Sequence, residues 1–168
     1  VPALRPLPLA VEVRHGSWDS DEADSFLAGH GVAVCGIDQP VIGESRPPFR
    51  FRAGPAGAYF RFHGRNYRNW FGADVGRDAR YDYLYSAAEL SSWAEVIRRA
   101  ATESTRVFVV LNNHFRGQAP ANAFELGALL TGARPPAPAV LRRAYPRLAE
   151  TTTEARDDSA TPGDLFGR

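Results

Sequence analysis

The sequence has no methionine, a single cysteine, no surplus of either charge and no long apolar run. Each of these lacks excludes something. With no methionine, even at the first position, Val1 is expected to begin a fragment of a longer chain. Cys35 stands alone in an apolar segment, where it packs as a small hydrophobe. No disulfide framework can form within the chain, which points to a reducing compartment and, by default, to the cytoplasm. Nothing approaches the roughly 18 consecutive apolar residues of a membrane helix, and Val1-Pro2-Ala3-Leu4-Arg5-Pro6-Leu7-Pro8 lacks the basic-then-apolar order of a signal peptide. No membrane is therefore expected as a partner. Lys and Arg number 20 against 19 Asp and Glu, a net charge of +1. That balance lacks the basic field by which proteins attract nucleic acids or membranes broadly, although a local basic patch is compatible with it.

What is present is a chain of 168 residues, 44% apolar and 11% aromatic, about one globular domain in length. Four segments run from an apolar start into polar or ionisable residues: Leu9 to His15, Val32 to Asp38, Ala58 to His63 and Val107 to His114. Their near-continuous apolar stretches, alternating with helical patterns, predict parallel strands covered on both faces. Between the first two, Asp19 to Gly31 reads as a short helix with Phe26 and Leu27 on one face. A Pro-, Gly- and Arg-rich connection follows Asp38 and runs to Gly57 without a helical period.

After the third strand comes an aromatic, arginine-rich loop, then a long helix. Ser86 with Glu89 forms a capping box, and Leu90, Trp93, Ala94, Ile97 and Ala101 recur at helical spacing. The fourth strand leads to a helix from about Pro120 to Thr131, stopped by Gly132. The chain divides into residues 1–132, a Pro-rich extension over 133–150 with a short helix near Val140 to Arg143, and a disordered tail over 151–168.

Ordered motifs along the chain carry a family resemblance. Val11-Glu12-Val13-Arg14-His15-Gly16-Ser17-Trp18, Tyr59-Phe60-Arg61-Phe62-His63-Gly64-Arg65-Asn66, Tyr85-Ser86-Ala87-Ala88-Glu89-Leu90 and Leu111-Asn112-Asn113-His114-Phe115-Arg116-Gly117-Gln118-Ala119, with Asn122-Ala123, resemble the motif set of the DUF72 (YecE-like) proteins. Leu111 stands where that pattern commonly has Phe, and Gly16 where it commonly has Pro. The resemblance covers roughly Leu9 to Pro146 and implies a parallel (β/α)8 TIM-barrel fold of which only the last four βα units are present. It implies little about activity, because the family is uncharacterised and fold does not fix function.

Alternation along a strand places Glu12 with Arg14 on one face, and Tyr59, Arg61 and His63 together on one face of the third strand. Phe60 and Phe62 then pack outward beneath helices. An ion pair of Glu12 with Arg14 or Arg61 that merely fixes strand register is the bland account of this face. The functional account draws on the carboxyl ends of the strands, where parallel α/β folds place their chemistry. In it, His63 exchanges a proton with Asp38 or Glu12 as its carboxylate partner. Arg14, His15, Arg61, Arg65, Asn112, Asn113 and His114 bind a small anionic or sugar-like molecule.

Two other chemistries compete. A divalent metal is conceivable on Glu12, Asp38, His15, His63 or His114, although no local ligand spacing marks a site. A nucleic acid is conceivable on Arg65, Tyr67, Arg68, Trp70, Phe71, Arg77, Arg80 and Tyr83, with a lid over the strand ends as the simpler role for that loop. Separately, Asp164-Leu165-Phe166 in the tail resembles the core of peptides that bind the bacterial DNA polymerase sliding clamp, without the glutamine and further apolar residue expected upstream.

Overall fold

The computed structural model describes residues 7–70, 76 and 78–155. Phe71 and Arg77 of the aromatic loop and Asp164-Leu165-Phe166 of the tail lie outside the described residues. The chain forms parallel strands in sequential neighbour order. Strand β1 (Ala10–Val11) pairs with β2 (Ala33–Val34), Ala10 opposite Ala33. Strand β3 (Gly36–Asp38) pairs with β4 (Ala58–Phe62), and β4 pairs with β5 (Val107–Leu111).

The second apolar segment is thus one run interrupted at Cys35, its first part serving β1 and its second part β4. The Cys35 amide donates to the Val11 carbonyl at 2.9 Å, so the ladder carries across the interruption. The first segment is regular only over its first turn of pairing. Beyond Val11 its partners are loop residues, with the Arg46 amide donating to the Arg14 carbonyl at 2.7 Å and the Gly16 amide to the Glu44 carbonyl at 2.6 Å. The connection from Gln39 to Gly57 contains no helix, as its composition predicts. Isolated antiparallel bridges, His15 with Ser45 and Val34 with Arg52, hold it to the sheet.

Helix α1 (Asp21–Gly29) is capped by the Ser20 hydroxyl and buries Leu27. Phe26, expected beside Leu27, is 54% exposed and stacks on His30 instead. Consecutive residues on a helix differ by about 100° in direction, so only one of the pair can face the sheet squarely.

Helix α2 (Ala87–Glu103) begins with the predicted capping box and buries Leu90, Trp93, Ala94, Ile97 and Ala100. In the last turn the buried position is Ala100, and Ala101 is exposed. The Trp93 ring lies 4.9 Å from Phe62, 5.9 Å from Phe60 and 4.6 Å from Phe49, centroid to centroid. Trp93, Phe60 and Phe62, all fully buried, each stabilise by roughly 2–3 kcal/mol through area removed from water, and Phe49 packs partly buried against them. The close packing explains Gly36: a Cβ there would sit 2.5 Å from the Phe60 ring.

Helix α3 (Gln118–Thr131) ends at Gly132, which takes a φ of 70° as the expected stop. Pro120 sits in its first turn, where no intrahelical donor is needed. Beyond it, β6 (Pro136–Ala137) pairs in parallel with β7 (Thr153–Glu154), with α4 (Ala139–Ala144) and α5 (Leu148–Thr151) between them. Residues 151–155, assigned above to the tail, therefore close α5 and form β7. The backbone supplies the reason: the Thr153 amide donates to the Pro135 carbonyl at 3.1 Å and the Ala155 amide to Ala137 at 2.9 Å. No helix among the described residues is long and apolar enough to cross a membrane.

Candidate functional site

Alternation along β4 sends Phe60 and Phe62 toward α2 and leaves Arg61 on the opposite face, at the carboxyl edge of the sheet. Four other polar residues meet it there. Arg61 donates from Nη1 to Glu12 Oε2 at 2.6 Å and from Nη2 to Asn112 Oδ1 at 2.9 Å. Arg14 donates from Nε to Glu12 Oε1 at 2.6 Å. His63, with 2% of its side chain exposed, lies within 3.2 Å of Glu12 Oε1 and 3.0 Å of Arg14 Nη2 through the same nitrogen, Nε2.

The electrostatics follow from this geometry. Burial alone would raise the Glu12 carboxyl, but the His63 hydrogen bond and the charge of Arg14 outweigh it and hold the group at about 2. Glu12 is therefore ionised throughout the physiological range, and two guanidiniums face this one carboxylate. On the same side, burial and the charge of Glu12 push the Cys35 thiol up to about 11, which leaves it a packing residue rather than a nucleophile.

His63 Nε2 cannot serve both neighbours at once. It accepts from Arg14 only when unprotonated, and donates to Glu12 only when protonated. Its Nδ1 is buried and has no hydrogen-bond partner among the described residues. His63 thus changes hydrogen-bond partner with the protonation of Nε2.

His15 and His114 flank this centre without touching it. His15 Nε2 lies 2.7 Å from Glu44 Oε2, and its Nδ1 accepts from the Ser17 amide at 3.2 Å. The His114 ring stacks on Tyr81 at 5.1 Å, and Tyr81 in turn stands 6.4 Å from the His63 ring. A cavity of about 510 Å³ opens beside Arg14 and His15 and is also lined by Gln39 and Trp70.

Asp38, Arg65 and Asn113 do not join the site. Asp38 is in register with Phe62 and shares its direction, toward α2. Fully buried there, it accepts from Arg65 Nε at 2.8 Å and Nη2 at 2.6 Å, and from the Trp93 indole N–H. Arg65 also meets Glu89 at 3.2 Å, and Glu89 accepts the Tyr83 hydroxyl at 2.6 Å. Burial raises the Tyr83 phenol and the bond to Glu89 adds to it; Glu89 is itself lowered, burial being outweighed by Tyr83, Ser86 and Arg65.

Asn113 follows Asn112 and so points the other way, donating to the Tyr83 carbonyl at 2.9 Å and to Asn122 Oδ1 at 2.8 Å. Asn122 bonds Glu125 at 2.9 Å, and Arg147 bonds Glu125 at 2.8 Å, which ties the extension after α3 to the sheet. The expectation that Asp38 partners His63 is thereby corrected, as is the placing of Arg65 and Asn113 beside the ligand: alternation turns Asp38 and Asn113 to the helix side, and Arg65, beyond the end of β4 and past Gly64 at a φ of 89°, turns there to meet Asp38.

The metal set considered from the sequence is dispersed in the same way. Asp38 lies on the opposite face, His15 is held by Glu44, and His114 Nε2 lies 3.4 Å from Asp78. Among the described residues, no group of three His, Cys, Asp or Glu is placed to hold a metal ion. Of the arginine-aromatic loop, Arg65 and Tyr83 are turned into the sheet–helix interface, while Tyr67, Arg68 and Arg80 are exposed. Gln39, Glu44 and Tyr81 join the rim of the site without having been assigned to it, and Trp70, from the loop read as a lid over the strand ends, lines the cavity there. The one with a signal in the sequence is Gln39, which follows Asp38 and by alternation must face the other way.

Fold and site together describe an α/β protein of parallel strands with a charged, partly open cluster at their carboxyl edge. Residues 1–145 match the family model described as protein of unknown function DUF72, and the chain belongs to that family. It is 34% identical over 132 residues to the UPF0759 protein YunF of Bacillus subtilis, an alignment covering 74% of this chain and 47% of that protein. Among solved structures, a DUF72 family protein from Thermotoga maritima is 38% identical with a TM-score of 0.66, covering 74% of this chain and 46% of the other. A DUF72 family protein from Enterococcus faecalis is 29% identical with a TM-score of 0.67, covering 75% and 48%. The chain thus spans about half the length of the relatives it matches.

Proposed function

We propose that the carboxyl-edge cluster binds a small anionic or polyhydroxylated molecule and exchanges a proton with it through His63. One observation carries the reading: two guanidiniums and an imidazole converge on a single carboxylate, and Arg14, with 45% of its side chain exposed, borders an open cavity. A cluster built only for register would balance its charges. This one has cationic capacity left over, where an anion finds bidentate donors.

The chemistry follows from the shared nitrogen. An anion that takes the Nη groups of Arg14 removes a donor from His63 Nε2. That nitrogen then takes a proton from the ligand and directs it at Glu12 Oε1. Glu12 steadies the imidazolium so formed, and Asn112 with Arg61 fixes the carboxylate in place. We further propose that the sheet is the carboxyl-terminal half of a (β/α)8 barrel, with the charged face as its interior. The sequential parallel order of the strands and the share of the relatives' length that the chain spans support this.

The test is an NMR titration of the chain with inorganic phosphate, following the ring nitrogens of His63. Saturable shifts at His63 that vanish in Arg14→Gln are expected. Absence of any response, or an unchanged response in Arg14→Gln, would overturn the reading.

A further inference from the structure

The cavity beside Arg14 contains a second, independent signal. Gln39 is 7% exposed and lines the cavity, yet its Oε1 is buried without a partner among the described residues. Buried amides are ordinarily satisfied, so an idle one at a cavity wall is a group waiting for a ligand atom. Trp70 lines the same cavity and offers it an apolar surface. At the rim, Glu44 and His15 satisfy each other at 2.7 Å, which leaves Arg14 as the cationic end.

We infer that this cavity seats the ring of a sugar phosphate, with the phosphate on Arg14, a ring hydroxyl on Gln39 and the apolar ring face against Trp70. The inference rests on the anion-binding reading above and narrows it to one ligand class. A hydroxyl both donates and accepts, so it satisfies the amide whichever way the amide is turned. An aliphatic or aromatic group in the same place would seal Gln39 away unpaired, and sites built around a hydroxyl discriminate strongly against analogues that lack it. The cavity, at about 510 Å³, lies within the range of small-ligand sites.

The experiment compares the affinities of the chain for inorganic phosphate, phenyl phosphate and glucose 6-phosphate. The sugar phosphate is expected to bind about tenfold more tightly than either of the others. In Gln39→Leu that ratio falls to about one. Because the native amide oxygen has no partner among the described residues to lose, Gln39→Leu should fold normally; Trp70→Leu gives an independent check, with a partial fall in the same ratio. Equal affinities for the three probes, preference for phenyl phosphate, or a ratio unchanged in both variants would overturn the sugar-phosphate inference while leaving the anion-binding reading intact. No binding of any probe would overturn both.

Discussion

The two faces of one sheet carry polar clusters that differ in how fully they are satisfied. Toward the helices, Asp38 takes both nitrogens of Arg65 and the Trp93 indole, and Asn122 joins Tyr85, Asn113 and Glu125. Most donors and acceptors there are used between chain elements, Asn113 Oδ1 being an exception, and the result is attachment: α2, α3 and the extension after it are fastened to the strands. On the other face Glu12 is overmatched by Arg14 and Arg61, His63 is claimed twice through one nitrogen, and its other nitrogen is idle. Satisfied polar groups hold a fold together; unsatisfied ones at an open cavity are available to a ligand.

Removing a charge from each face tests this most sharply. Asp38→Ala leaves the Trp93 indole unpaired in the interior and the Arg65 guanidinium with Glu89 alone, and is expected to cost about 3 kcal/mol of unfolding free energy. Glu12→Gln, on the partly exposed face, is expected to cost about 1–2 kcal/mol. Urea unfolding of the two variants measures the difference. If Glu12→Gln proved as costly as Asp38→Ala, the inner cluster would be a structural ion pair like the outer one. Asn122→Ala comes next. It abolishes three buried hydrogen bonds that link α3 to Tyr85 and Asn113 and a fourth to Glu125 within the helix, and about 2–3 kcal/mol is expected, with amide exchange of residues 139–151 accelerating more than that of β4.

Much of this division is written in the residues, and the failures are instructive. The pattern Tyr59-Phe60-Arg61-Phe62-His63 names its own faces, because two phenylalanines can share only the buried side. Ser86 and Glu89 announce the start of α2 through a purely local bond pair. Asp38 and Asn113 are different. Their position at strand ends is common to catalytic and to fastening residues, and which face they take depends on pairing with Phe62 and on Asn112, a register that local pattern does not reveal. Gln39 is readable once Asp38 is placed. Trp70, Tyr81 and Glu44 come from loops, whose paths follow no period. The interruption at Cys35 likewise reflects a demand from two neighbours, β1 on one side and β4 on the other, and not a breaker in the sequence.

The pH dependence of stability probes the Glu12 face directly. Glu12 has its folded-state value lowered to about 2 from an ordinary 4.5. A carboxyl so lowered contributes stability that is complete above about pH 4.5 and is lost as pH falls toward 2, where the folded state too takes up the proton. With the solvent access of this face taken into account, about 1–2 kcal/mol is expected over that window. The measurement is the difference between wild type and Glu12→Gln in urea midpoints from pH 6 to pH 2, which should narrow as the pH falls. A difference that stays constant would mean that Glu12 is not held ionised by its neighbours.

The smallest expected effect on stability is also the one most diagnostic of function. Arg14 keeps 45% of its side chain exposed, and its partner Glu12 retains Arg61 at 2.6 Å when Arg14 is gone. Arg14→Gln should therefore change unfolding free energy by about 0–1 kcal/mol, in the range of exposed ion pairs. The same substitution frees His63 Nε2 from its guanidinium neighbour, so the ring should rest with its Nε2 proton on Glu12 even without ligand, visible in the ring nitrogen shifts. A near-silent stability change joined to an altered His63 ring would set Arg14 apart from Arg65, whose loss must weaken the fold. If Arg14→Gln instead destabilised the chain by as much as a change at Asp38, with the His63 signals unmoved, the two faces would be alike and the site would have no reserve for a ligand.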